Sequence, residues 1–321
     1  MKILVTGGTG FIGTNYLNYL LTSSEGMNFI KVIDKFTYAG SSAKSFNKIS
    51  NVEIIEGDIC DSELMYKLID WAEIIINFAA ESHVDRSIQN GSIFVQTNTL
   101  GAQNIFELAA QLDNKRVVHI STDEVYGSVN VGSSLETDSL NPNSPYSASK
   151  AGADLLARSY IKTFNANINI TRSCNNFGPY QFPEKFIPLA ITNLLRNKKI
   201  PIYGNGENVR EWIFVDEKCR AIQTIISNGG NSEIYNIGTG YLISNFNLAI
   251  KILELMGLGK EMIEFVPDRL GHDLRYSLNS EKIEKIGFKN QILFDEALKI
   301  TIDWYVDNTE WWTSRIVNNI G

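Results

Sequence analysis

The chain has 321 residues, 44% of them hydrophobic, and carries 36 acidic against 29 basic side chains for a formal net charge of -7. That length can bury a substantial core as one large domain or two smaller ones, and the acidic balance argues against the broad basic face that nucleic acid or an anionic membrane would need. Three dispersed cysteines (Cys60, Cys174, Cys219) match neither a disulfide framework nor a metal-ligand spacing, and no secretory leader or apolar span of about 18 residues is present, so a cytoplasmic protein without a metal is expected.

Ile3-Leu4-Val5 reads as a buried strand running into Thr6-Gly7-Gly8-Thr9-Gly10-Phe11-Ile12-Gly13, a tight turn and the start of a helix. Gly7 permits the turn, Gly10 lets the backbone approach a pyrophosphate at the helix N-terminus, and Gly13 lets helix pack closely on strand, with Phe11 and Ile12 carried in the same segment. The next strand, 30–33, ends at Asp34, whose carboxylate can accept ribose hydroxyls and would repel a 2′-phosphate. NAD is therefore expected over NADP, and Lys35 next to it weakens that only slightly. After a third strand at 52–55, Asp58-Ile59 can flank the adenine or pack in the core. After a fourth at 74–77, Phe78-Ala79-Ala80 offers small residues either for close approach of the cofactor or for packing.

Further strands at 117–121, 168–171 and 234–237 alternate with helical patterns, which predicts an α/β fold with a Rossmann-type, doubly wound parallel sheet. Past Cys174 the rhythm breaks into a loop-rich stretch to Lys185 and a helix at 187–196. The chain is then expected to return to the sheet near 212–237 and end in helices. The predicted division is a nucleotide-binding domain of residues 1–173 plus about 212–240, and a smaller, mostly helical substrate domain of about 174–211 plus 241–321, with a ligand cleft between them.

Tyr146 and Lys150 are four apart and share one helix face. A lysine ammonium beside a positive nicotinamide favours the phenolate, so Tyr146 is expected to titrate below its ordinary value and to take a proton from a hydroxyl while hydride leaves the same carbon. Thr122 ends a strand where it can offer its hydroxyl to the same oxygen. Asp123 and Glu124 follow at the carboxyl edge, where open α/β sheets place ligands. Two adjacent carboxylates in a closed cleft do not both ionise cheaply, which gives one acid and one base. Once a sugar C4 hydroxyl has become a ketone the C5 hydrogen is acidic, and Glu124 can remove it while Asp123 protonates the departing C6 hydroxyl.

These residues resemble those of the nucleotide-sugar 4,6-dehydratases of the extended short-chain dehydrogenase/reductase family. The likeness spans nearly the whole chain, including Asp34-Lys35-Phe36-Thr37-Tyr38-Ala39-Gly40, Glu81-Ser82-His83-Val84-Asp85-Arg86, Thr97-Asn98, Ser144-Pro145-Tyr146-Ser147, Asn175-Asn176, Pro183-Glu184-Lys185, Val209-Arg210-Glu211-Trp212 and residues 268–276. Its most specific part is Thr122-Asp123-Glu124, because related epimerases carry small or hydroxyl residues there. The resemblance implies Tyr146 as initiator of the oxidation, Asp123 as acid and Glu124 as base, and it adds Thr97 to the cofactor site. It assigns Asn176, Lys185, Arg210, Asn245 and Arg275 to a nucleotide diphosphate, and Ser82 and His83 to the hexose, His83 reading equally as a core residue. The implied substrate is an NDP-glucose, dTDP-glucose first.

A homodimer through a four-helix bundle is also implied by the resemblance, with 97–112 and 147–164 as candidate helices unless they only cover the sheet. The chain departs from the family pattern at Glu217-Lys218-Cys219, Arg210-Glu211-Trp212 and Leu274-Arg275-Tyr276. The first two changes read as peripheral, whereas loss of a cation at Leu274 bears on the nucleotide. Two other readings stand beside this one: a dehydratase or 4-epimerase acting on UDP-glucose or a UDP-N-acetylhexosamine, and an NAD-sensing binding protein, for which the five reacting groups would have no use.

Overall fold

Apolar runs buried on both faces suit a parallel sheet covered on two sides, and such runs form the centre of this molecule. The computed structural model describes residues 1–23, 28–38, 40, 46, 49–268 and 271–317. Ala39 and residues 269–270, which fall within the motifs quoted above, lie outside the described residues. The strands are β1 Lys2–Thr6, β2 Phe29–Asp34, β3 Val52–Glu56, β4 Ile74–Asn77, β5 Arg116–Thr122, β6 Asn167–Ser173, β7 Asn175–Phe177, β8 Ile200–Tyr203, β9 Val209–Phe214, β10 Ile234–Ile237, β11 Leu242–Ser244 and β12 Ile263–Val266.

The main sheet has seven strands in the order β10-β6-β5-β4-β1-β2-β3, all neighbours parallel. This is the doubly wound Rossmann-type sheet expected from the sequence. The winding reverses at β1, which lies between β2 and β4, so the carboxyl ends of β1 and β4 border a crevice. Helices Ser62–Trp71, Ala102–Gln111 and Pro145–Phe164 pack one face around Met65, Phe106 and Ala157. Helices Phe11–Thr22 and Val215–Asn228 cover the other around Tyr16, Leu17 and Ile222.

Helix Pro145–Phe164 starts where its sequence dictates. Pro145 occupies the first turn, and Ser144 and Ser147 exchange capping hydrogen bonds of 3.1 and 3.0 Å, an arrangement that fixes the entry of the helix. Tyr146 and Lys150 are thereby set on its first two turns. The helix predicted from residue 97 differs. Residues Val95–Gly101 form a π-helical segment before the α-helix Ala102–Gln111. Buried Asn98 in that segment accepts from Glu81 N (2.8 Å) and donates to Glu81 O and Ser149 Oγ, each at 2.9 Å. It thus binds the loop after β4 to helix Pro145–Phe164.

The remaining strands form two small sheets, β11-β9-β7 and β12-β8, against a second core of Phe177, Ile191, Trp212, Leu248, Leu298 and Tyr305. Trp212 therefore lies in the small sheet. The chain rejoins the main layer through helix Val215–Asn228 and then β10. Among the described residues no helix is long and apolar enough to cross a membrane.

Candidate active site

A cavity of about 560 Å³ opens at the carboxyl edge of the main sheet, within the range of small-molecule and cofactor sites. One half is built by the turn after β1. Gly7 has φ +64°, and a Cβ there would lie 2.6 Å from Ala79 N. A Cβ on Gly13 would sit 2.5 Å from Gly7 O, so neither position takes a larger residue without displacing backbone. Gly10 caps helix Phe11–Thr22 without a side-chain hydrogen bond, and a Cβ there would meet only Gly7 O at 3.4 Å. The helix N-terminus is left to a ligand, which fits the pyrophosphate of a dinucleotide.

Asp34 accepts from Thr9 N and Phe36 N, both at 2.9 Å, which fixes its carboxylate at the end of β2. Lys35 is held by Asp58 at 2.7 Å, so its charge is largely answered before any ligand arrives. Burial tends to raise Asp58, but Lys35 and the Cys60 amide together hold it below the ordinary carboxylate range. Phe11, Ile12, Ile59, Ala79, Ala80 and Thr97 complete this half of the lining.

The reacting groups proposed from sequence, Thr122, Asp123, Glu124, Tyr146 and Lys150, line the same cavity. β5 ends in Thr122, which caps a 3-10 turn Asp123–Tyr126. Its hydroxyl accepts from Glu124 N at 3.3 Å and donates to Asp123 Oδ1 at 3.2 Å. Asp123 is only 3% exposed, and among the described residues its Oδ2 has no hydrogen-bond partner. Burial, reinforced by Glu124 and Glu211, raises Asp123 well above the usual carboxylate range, favouring the neutral acid.

Lys150 donates to Ile120 O at 2.6 Å, and burial lowers its ammonium to about 8. Tyr146 departs from the expectation of a lowered phenol: burial first, then the charge of Glu124, raises it. Burial is the largest cause, and the negative charges of Glu124, Asp123 and Asp154 add to it, while Lys150 is engaged by a backbone carbonyl.

Of the residues assigned to substrate, Ser82, Asn176 and Lys185 line the cavity. Lys185 donates to Ser82 O at 2.6 Å, and Asn176 donates to Cys174 O at 2.9 Å. His83, Arg210, Asn245 and Arg275 do not line it. His83 lies 3.9 Å from Glu184, and its imidazolium is disfavoured by burial. Arg210 is buried, donates to Asp273 O at 2.9 Å and stacks 4.4 Å from the Tyr276 ring centroid, and its charge opposes the rise of Asp123. Arg275 donates to Gly132 O at 2.8 Å, while Asn245 opens helix Asn245–Met256 with its amide on Asn208 O at 3.0 Å.

Several groups were missed or misjudged by sequence reasoning. Tyr38 donates to Glu184 at 2.9 Å while Arg86 stacks on Tyr38 at 3.7 Å and pairs with Glu184 at 3.1 Å, a bridge between the loop after β2 and the one after β7. Glu211 and Lys218 are not peripheral. Glu211 is fully buried, accepts from the amides of Thr239, Gly240 and Leu278 at 2.7 to 2.8 Å, and acts electrostatically on Asp123. Lys218 is also fully buried, 3.4 Å from Thr171 Oγ1, with Asp123 and Lys150 in its field. Polar residues on an amphipathic helix and a short strand carry no sequence signal of such burial.

The sequence profile of the GDP-mannose 4,6 dehydratase family matches residues 4–301. The chain belongs to this family. Within it, the chain is 46% identical over 312 residues to the low-salt glycan biosynthesis protein Agl12 of Haloferax volcanii, covering 97% of this chain and 100% of that one. It is 44% identical to dTDP-glucose 4,6-dehydratase of Streptomyces niveus, covering 97% and 95% of the two chains. A crystal structure of dTDP-glucose 4,6-dehydratase from Streptomyces venezuelae with NAD bound superposes with a TM-score of 0.95 at 44% identity, covering 98% of this chain and 100% of that one. UDP-glucose 4-epimerase of Thermotoga maritima shares the fold at 28% identity and a TM-score of 0.87, covering 96% and 100%.

Proposed function

We propose that the protein is an NAD-dependent hydro-lyase that converts dTDP-glucose to the 4-keto-6-deoxy sugar nucleotide. The observation that carries this reading is a buried acid, Asp123, beside Glu124 and Tyr146 in one cavity with the glycine turn. Relatives of about the same length and 39–44% identity bear the name dTDP-glucose 4,6-dehydratase, which favours that substrate over a UDP-linked sugar.

The glycine turn and Asp34 hold the dinucleotide, which when bound takes hydride from C4 and later returns it to C6. Tyr146 takes the proton of the C4 hydroxyl, assisted by Thr122, with Lys150 one helical turn away. Burial and Glu124 raise the phenol, and the positive nicotinamide is the charge that would favour the phenolate. Glu124 removes the C5 proton, which the new ketone has acidified. Asp123 delivers its proton to the C6 hydroxyl, which leaves as water, and Glu124 returns a proton to C5. Lys185, Asn176 and Ser82 face the same space from the substrate side. Arg210, Arg275 and Asn245, which do not line this space, keep only the diphosphate role that the family resemblance gives them.

The exposed apolar side chains Val95, Leu100, Leu155 and Phe164 lie on the segments Val95–Gly101 and Pro145–Phe164. They support a homodimer through a four-helix bundle. Incubation with dTDP-, UDP-, CDP- and GDP-glucose, read by product mass and alkali-induced absorbance, tests the assignment. Loss of one water from dTDP-glucose is expected. Silence with all four, or a product of unchanged mass, would overturn it.

A further inference from the structure

The reaction proposed above, on which this inference rests, makes one demand that its acid and base do not meet. Hydride removed from C4 is needed again at C6, so the reduced dinucleotide has to stay in the cleft until water has left. If it escaped early, the sugar would be stranded as the ketone. A group of side chains that take no part in the chemistry is placed to prevent this.

We propose that Tyr38, Arg86 and Glu184 form a clasp that keeps the dinucleotide in the cavity between the two hydride transfers, which makes them positioning residues. They come from the loop after β2, the short helix Val84–Gln89 and the loop after β7. The Glu184 carboxylate joins them. Its Oε1 accepts from the Tyr38 hydroxyl at 2.9 Å, and its Oε2 pairs with the Arg86 guanidinium at 3.1 Å. Arg86 in turn stacks 3.7 Å from the centroid of the Tyr38 ring, which Phe182 meets edge-on at 5.1 Å. The three contacts close a triangle, so no member can leave without breaking two of them. Two are charge-assisted or cation–π contacts, the stronger kinds of polar contact.

Each side of the clasp is anchored on the dinucleotide half. Phe36, at φ +50°, turns the chain after Asp34 and donates its amide to that carboxylate, and the Thr9 hydroxyl of the glycine turn donates to Gly40 O. On the other side Asn15, in the helix that follows the glycine turn, donates to Pro179 O at 2.9 Å. Tyr38, Phe182 and Glu184 line the same cavity as Gly10, Asp34 and Tyr146, so a dinucleotide bound there shares its space with the clasp. Burial, then the charge of Glu184, raises the Tyr38 phenol, which keeps it a donor near neutrality. The Arg86 side chain is 38% exposed and that of Glu184 17%. Water can therefore replace these bonds and the clasp can open while both anchored loops stay folded.

The test measures dinucleotide release without any sugar present, a readout that a purely structural or sugar-binding role would not move. Purified full-length protein is loaded with isotope-labelled NAD and chased with excess unlabelled NAD, and the bound label is followed by mass spectrometry, with melting temperature recorded alongside. Glu184→Ala should shorten the exchange half-time at least about tenfold. Arg86→Ala should act in the same direction, and the double variant should exchange within about twofold of Glu184→Ala, because one clasp can be lost only once. Tyr38→Phe, which keeps its ring under Arg86, should have the smallest effect. Should Glu184→Ala not fold, the isosteric Glu184→Gln takes its place, with faster exchange again expected. Exchange as slow in the Glu184 variant as in the wild type would overturn the clasp, as would effects of the two single variants that multiply in the double. Slow exchange in the wild type and fast exchange in the variants, with no nucleotide sugar dehydrated, would overturn the assigned reaction and still support the clasp on the dinucleotide.

Discussion

The two halves of the cavity are built in opposite ways. The centre of the cofactor half comes from contiguous sequence: β1, a glycine turn and one helix, with Asp34 at the end of the neighbouring strand. The substrate half is assembled from distant segments, with Lys185 reaching Ser82 and Tyr38 reaching Glu184. Local construction makes the first half stiff and intolerant of added atoms. Construction across loops lets the second half adjust, because its contacts are single hydrogen bonds and ion pairs with part of their surface in water.

The largest effect is expected at Lys218, which is fully buried on helix Val215–Asn228 and lines neither half. Burial holds this lysine at about 7, whereas in the unfolded chain it titrates near about 10.4. Between those values the unfolded chain binds more protons, so this group makes stability rise with pH through that window and lowers it below. Lys218→Met should stabilise the protein near neutrality by about 1–4 kcal/mol and flatten the pH dependence, as read by urea unfolding across the window. A destabilised variant with the slope intact would mean the ammonium is well paired.

In the cofactor half, Gly13→Ala should cost about 1–3 kcal/mol and reduce retained dinucleotide, because its Cβ would press on Gly7 O at 2.5 Å. Melting temperature and the nucleotide content of purified protein check this. In the substrate half, Tyr38→Phe removes one hydrogen bond to Glu184 and should cost only about 1 kcal/mol, seen as a modest rise in KM with little change in melting temperature. A larger loss for Tyr38→Phe than for Gly13→Ala would reverse the comparison.

The same contrast governs what was legible in the sequence. The glycine spacing, Asp34 at a strand end and the four-residue step from Tyr146 to Lys150 express local geometry, and the seven-stranded parallel sheet follows from apolar runs alternating with helices. Glu211 and Lys218 were misjudged because their burial is decided by segments far away in the chain, the turn at Thr239 and the strand bearing Thr171. Trp212 reads as a main-sheet residue because its apolar run resembles any buried strand, yet its partners are β7 and β11. The π-helical segment at Val95–Gly101 has no distinguishing periodicity, and only Asn98, fixed to Glu81 and Ser149, explains why it is there.

The division of labour between adjacent carboxyl groups is the central claim, and Glu124→Gln examines it most directly. Mixed with dTDP-glucose, this variant should accumulate the absorbance of reduced nicotinamide while the sugar nucleotide keeps its water, since oxidation at C4 needs Tyr146 and not the base. Formation of the dehydrated product at the wild-type rate would contradict the account.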